Sequence, residues 1–216
     1  MKKIIQVFLI GILAGVVTVA SAQVRFDVGL KGGLNFAKIN GNSSVTANYG
    51  ARTGYHGGAY AMIKIAKFAI QPEVIFSKQG QTFDYSRQNY NTVFSYVNIP
   101  IMLKLYLAAG FNLQAGPQFG FLTKATGDVI DSNGKPETGQ DLKNLVKSSD
   151  VSIGFGFGWD LPLGISIGAR YNLELSDINK ITGQQAPSQV SSMGTISARN
   201  QVIQLSIGYR LFKLGK

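Results

Sequence analysis

The stretch VSIGFGFGWD at residues 151–160 is apolar at every odd position and small or polar at every even one. Such a period-two pattern makes a strand with two unlike faces. The same alternation returns in GISIGARYNLE at 164–174 and in VIQLSIGYR at 202–210. One face of these strands suits hydrocarbon and the other does not, which is the plan of a transmembrane β-barrel.

Working outward, residues 1–22 read as a secretory signal peptide: Lys2 and Lys3, an apolar run over 4–19, then the small-x-small site Ala20-Ser21-Ala22. A membrane anchor is the alternative, but Gly11 and Gly15 interrupt a run already shorter than the about 20 apolar residues that a spanning helix needs. No Cys follows the cleavage site, so no lipid is attached there. The expected mature chain, 23–216, is one domain and contains no apolar stretch of helical spanning length. Inside a bilayer it must therefore be a closed sheet, because open strand edges do not survive in hydrocarbon. With no cysteine, disulfides and thiolate metal sites are excluded.

The formal charge of +10 falls to +8 once Lys2 and Lys3 are set aside. No Lys/Arg run with interleaved aromatics suggests nucleic acid. The basic balance fits attraction to anionic membrane lipids, lipopolysaccharide included. Many of the 26 glycines fall inside strands, as a crowded, narrow barrel requires.

Eight segments have strand character: 25–38, 52–65, 68–79, 94–107, 111–124, 151–160, 164–174 and 200–212. Each is long enough to cross at a tilt, which takes about 9–11 residues. Tight turns at 66–67, 108–110 and 161–163 alternate with long polar connections at 39–51, 80–93, 125–150 and 175–199. A soluble sandwich has no reason to sort its loops by length. An eight-stranded antiparallel up-and-down barrel does so, with turns in the periplasm and loops outside.

The outward face is then Val28, Leu30, Leu34, Phe36, Ala59, Ala61, Ile63, Ile65, Ile70, Val74, Phe76, Ile99, Ile101, Leu103 and Leu105 in the first half. Leu113, Phe119, Phe121, Ile153, Phe155, Phe157, Ile165, Ile167, Tyr171, Ile203, Leu205 and Ile207 complete it. Aromatics gather as girdles near the turns (Phe68, Tyr106, Phe111, Trp159, Phe212) and near the loops (Phe36, Tyr55, Phe76, Phe94, Phe121, Tyr171).

The opposite parity gives the lumen: Asp27, Lys31, His56, Tyr60, Lys64, Glu73, Asn98, Lys104, Gln114, Gln118, Asp160, Arg170, Glu174, Gln204 and Arg210. Counted from the turns, Lys31, Glu73 and Arg170 share a mid-barrel level, with Asp27, Lys64, Lys104 and Arg210 nearer the periplasm. Buried charges must pair or cost several kcal/mol each. A salt-bridged plug is expected, incompatible with a general diffusion pore, which takes about 16 or more strands.

The runs GLKGGLN at 29–35, GYHGG at 54–58, QPEVIFSKQG at 71–80, YVNIPIMLK at 96–104 and FNLQAGPQFG at 111–120 resemble the PorT-like, or outer membrane protein β-barrel domain, family. LSIGYRLF at 205–212 fits it too, although Lys213-Leu214-Gly215-Lys216 follows the aromatic that the barrel-assembly machinery reads in such proteins. The resemblance implies the barrel fold and outer-membrane location. One relative in that family serves a protease-secreting apparatus, but a shared fold does not carry a function.

His56 follows the luminal parity near the loop end, not far from Glu174, so a lipid-modifying hydrolase can be sketched. Such enzymes face their site to lipid, and a hydrogen-bonded luminal histidine is the simpler reading. GFGFG at 154–158 is a glycine inner face, with no helix after it to hold phosphate. DSNGKPE at 131–137 lacks the bidentate Glu of a calcium loop. DLKNLVK at 141–147 suits two helical turns that cap the mouth or meet a partner, and the Ser/Gln-rich connection at 175–199 is the second recognition candidate. No catalytic residue, cofactor or metal is assigned. The leading reading is an integral structural or interaction protein, ahead of narrow or gated solute transport.

Overall fold

The computed structural model describes residues 24–41, 48–85, 88–130, 136–145, 147–175 and 198–215. The expected signal peptide and most of the last connection lie outside these residues. The strands are β1 Val24–Gly41, β2 Asn48–Ile65, β3 Phe68–Tyr85, β4 Gln88–Tyr106, β5 Phe111–Ile130, β6 Pro136–Asp141, β7 Ser149–Asp160, β8 Ile165–Glu174 and β9 Ala198–Leu214.

Every pairing is antiparallel, and the ring runs β1-β2-β3-β4-β5-β7-β8-β9 and back to β1. Eight strands thus close the barrel, with β6 appended. The closing seam pairs Leu34 with Leu205 and Lys31 with Gly208. Closure satisfies the backbone N–H and C=O groups between strands, the condition for standing in lipid. The tight ends turn on left-handed residues: Ala66 (φ 53°), Ala109 (φ 51°) with Gly110 (φ 86°), and Leu163 (φ 66°) with Gly164 (φ 85°).

The alternation holds around the ring. Leu30, Val74, Leu103, Phe157 and Ile207 are exposed on the outside, where lipid replaces water as solvent, while Asp27, Glu73 and Arg170 are buried inside. Phe111 and Trp159 stack at 4.6 Å between ring centres beside a tight turn, and Trp159 Nε1 donates to the Ala109 carbonyl at 2.9 Å. Two of the expected girdle residues belong elsewhere. Phe94 and Tyr106 are buried and follow the luminal parity of Tyr96, Asn98 and Lys104.

The loop side also departs from expectation. The connection expected at 80–93 is mostly strand, since β3 runs to Tyr85 and β4 starts at Gln88. Strands of 18 to 20 residues, as in β1 to β5, stand about 40 Å tall at a tilt of roughly 45°, well above an apolar band of about 25 Å. By contrast β7 and β8 have 12 and 10 residues, so the rim is high on the β2 to β5 side and low at β7 and β8. Among the described residues of 125–150 lie β6 and a three-residue 3-10 turn, Lys143–Leu145, against the two helical turns expected over 141–147. Pro136 and Glu137 of the former loop stretch belong to β6, which pairs with the upper end of β5.

The glycine face of β7 has a packing cause. A Cβ at Gly156 would collide with the Ala169 carbonyl, and one at Gly154 or Gly158 would press on Asn172 and on Asn112, respectively. These glycines leave room for the long luminal side chains of β5 and β8. Gly57, on the outer face, has only ordinary contact at 3.9 Å. In urea titrations of the refolded barrel, Gly156→Ala should lower the unfolding free energy by ~1–3 kcal/mol. Gly57→Ala should stay within about 0.5 kcal/mol. Equal effects would show that the inner face is not close-packed.

Candidate functional site

The lumen is organised around Glu73. In β3 the run Gln71, Glu73, Ile75, Ser77 and Gln79 is buried, and Ile70, Pro72, Val74 and Phe76 alternate outward. Arg170 of β8 reaches across the barrel and donates from Nη1 to Glu73 Oε2 at 3.1 Å and from Nη2 to Oε1 at 2.8 Å. This is the bidentate fork in which guanidinium and carboxylate pair best. Lys31 Nζ of β1 lies 3.3 Å from both carboxylate oxygens, and Gln71 Nε2 donates to Oε1 at 2.9 Å. Gln114 Oε1 of β5 accepts from Arg170 Nη2 at 2.9 Å. The network ties together β1, β3, β5 and β8, which are not neighbours in the ring. Met102, fully buried, fills space beside it.

Toward the loops, His56 Nδ1 is 2.8 Å from Asn35 Oδ1 and its Nε2 is 3.0 Å from Ser206 Oγ. The amide oxygen can only accept, so Nδ1 carries the proton and Nε2 accepts from Ser206. Gln204 Nε2 donates to the same Asn35 oxygen at 3.1 Å, and Asn35 Nδ2 donates to Ser77 Oγ at 2.9 Å. Higher still, Phe94, Tyr96, Leu122 and Ala125 form an apolar cluster against which Leu142, from the β6 segment, packs. Asp150 is hydrogen-bonded to both Tyr96 and Glu174.

Toward the tight turns, Asp27 pairs with Arg25 at 2.7 Å and Arg210 at 3.7 Å. Lys104 lies 3.9 Å from Asp160, to which Tyr106 Oη donates at 2.6 Å. Lys64 stands over the Tyr106 ring at 3.4 Å, a cation–π contact. The eight charged residues singled out in the sequence thus fall into four groups. Lys31, Glu73 and Arg170 meet at mid-barrel; Asp27 and Arg210 meet at one end; Lys64 and Lys104 converge on Tyr106 and Asp160; Glu174 meets Asp150 at the loop end. Arg25, Gln71, Tyr96 and Asp150 complete these groups, and Asn35 instead joins His56, Ser77 and Gln204. Gln71 and Asn35 follow the luminal parity and were open to the same reading. Three gaps along the lumen measure about 20, 30 and 20 Å³, each room for a water or two. Among the described residues no three His, Asp or Glu side chains converge as metal ligands.

Residues 21–180 match the family described as outer membrane protein beta-barrel domain. The chain belongs to that family. The barrel is accordingly a protein of the outer membrane. Among solved structures it is similar to Neisserial surface protein A, at 12% identity and a TM-score of 0.52, covering 85% of this chain and 97% of that one. Ail, the attachment invasion locus protein of Yersinia pestis, aligns at 14% identity and 0.48, covering 86% and 98%. OprG from Pseudomonas aeruginosa aligns at 11% and 0.42, covering 88% and 96%. At 12% identity the likeness to Neisserial surface protein A is one of fold. No curated protein sequence matches the chain.

The family's barrel gives this lumen its energetic logic. A buried ion pair adds little net stability when formed, but removing one partner strands the others. Glu73→Ala leaves Arg170 and Lys31 as adjacent buried cations and should cost ~3–5 kcal/mol in urea unfolding from lipid vesicles. Replacing all three together, as Lys31→Met, Glu73→Leu and Arg170→Met, should recover most of that loss. A triple variant no more stable than Glu73→Ala would refute the pairing as its cause.

Proposed function

We propose that this chain is a closed outer-membrane barrel that works as a structural and interaction protein, not as a solute channel. The observation that carries the reading is the Arg170–Glu73–Lys31 network, which crosses the lumen at mid-height beside a gap of about 30 Å³. The tall β1 to β5 wall, extending above the apolar band, and the β6 segment at its top are the surfaces offered to a protein partner. Exposed Lys78, Lys124 and Lys143 at that end favour the anionic headgroups of outer-membrane lipids such as lipopolysaccharide. The barrel-assembly machinery is the partner implied during insertion.

Within the family, the runs at 29–35, 54–58 and 71–80 support a place among the PorT-like members. We read the protein as non-enzymatic because both ring nitrogens of its sole histidine are committed to Asn35 and Ser206, neither of them a carboxylate. No cofactor is invoked.

Planar-bilayer recording tests the reading. The purified protein should give no stable, large conductance, and the combined variant Lys31→Ala, Glu73→Ala, Arg170→Ala should open a small ohmic one. A stable, large conductance from the unaltered protein would overturn the closed lumen in favour of transport.

A further inference from the structure

The loop-side end of the lumen holds a second polar constellation that the mid-barrel network does not use. A cavity of about 20 Å³ lies beneath the low β7–β8 rim, and Asp150, Ser152, Asn172, Glu174, Asn98 and Gln118 contribute to its wall. No Lys, Arg or His lines it. Ser152 and Asn172 are 5% and 4% exposed. The Ser152 hydroxyl and both polar atoms of the Asn172 amide are buried there without a hydrogen-bond partner. Leaving such groups unmatched costs ~1–3 kcal/mol each, so they point to a guest.

The oxygens around that space converge. Over Gly120 a Cβ would collide with Asp150 Oδ1 and lie 3.1 Å from Asn98 Oδ1, so two acceptor oxygens aim at the space that only glycine leaves open. Asp150 is also hydrogen-bonded to Glu174. Two carboxyl groups in hydrogen-bond contact need a proton or a cation between them, since bare carboxylates repel.

We propose that this cavity is a calcium site, with Asp150 and Glu174 as the charged ligands and Asn172 Oδ1, Asn98 Oδ1, Gln118 Oε1 and Ser152 Oγ as neutral ones. All the donors are hard oxygens, and their number reaches the six to eight that calcium takes in irregular geometry. Magnesium, which demands a strict octahedron and sheds water reluctantly, suits the set less well. The volume admits one ion and no chelate or larger solute. A bound ion would tie the starts of β7 and the end of β8 to β4 and β5, stiffening the low side of the rim.

Terbium, a luminescent calcium substitute, tests the site because Tyr96, bonded to Asp150, is placed to sensitise it. Refolded protein in detergent should show tyrosine-excited terbium emission that calcium displaces, and calorimetry should give saturable calcium binding of one ion per barrel. Asp150→Asn and Glu174→Gln should each weaken calcium at least tenfold, and Asp141→Asn, on the exposed β6, should not. Tyr96→Phe should lose most of the emission yet keep the calorimetric binding. Absence of calcium heat from the unaltered, heat-modifiable protein would overturn the proposal. So would calcium binding undiminished in the Asp150→Asn, Glu174→Gln double variant, or a preference for magnesium over calcium.

Discussion

The carboxylate of Glu73, with no exposed side-chain surface, is the fixed point of this molecule. An eight-stranded ring is too narrow to leave its inward side chains in bulk water, so each must be matched by another. Glu73 meets the fork of Arg170, the ammonium of Lys31 and the amide of Gln71. Two cations around one carboxylate leave a net positive centre, and Arg170 Nη2, besides bonding Glu73, donates to Gln114 Oε1. The backbone ladder fixes the circumference of the barrel, and this network fixes its cross-section.

The other inner-face features follow from that constraint. Arg170 sits opposite Gly156 in the β7–β8 register, so the longest side chain faces the residue with none. The three glycines of β7 are thus the complement of the long residues on β5 and β8. At the turn end the Arg210–Asp27 and Lys104–Asp160 contacts are looser, at 3.7 and 3.9 Å, although Arg25 holds Asp27 at 2.7 Å. At the loop end the lining turns apolar on β4 and β5 through Phe94, Tyr96 and Leu122, with Leu142 folded against it, while β7 and β8 keep Asp150, Ser152, Asn172 and Glu174 there.

Much of this was legible because a strand has only two faces. Parity assigned Asp27, Lys31, Glu73, Arg170 and Arg210 to the inside, and the apolar residues of the same strands to lipid. Parity failed where residue type was allowed to override it: Phe94 and Tyr106 read as girdle aromatics by their nearness to strand ends, yet their even positions put them with Lys104 in the lumen. The partnerships across the ring were not legible, since Lys31, Glu73 and Arg170 are separated by 42 and 97 residues and by intervening strands. Above the membrane the alternation fades, because both faces of a hairpin meet water. That is why 80–93 read as a loop, why β6 (PETGQD) gave no strand signal, and why Asp150 was left in a connection instead of at the head of β7.

An outer-membrane barrel closed by its own side chains separates two tasks. The lumen secures the fold, and under the proposed interaction role the rim, higher on one side than the other, is the surface that meets a partner. That division rests on the mid-barrel ion network being formed in lipid. Dipolar-recoupling solid-state NMR on bilayer-embedded protein, with the Arg170 guanidinium nitrogens and the Glu73 carboxylate carbon labelled, measures it directly. Strong recoupling, consistent with nitrogen–oxygen contacts of 2.8 and 3.1 Å, is the predicted result. Absence of recoupling between the two groups in a folded, heat-modifiable barrel would contradict the account.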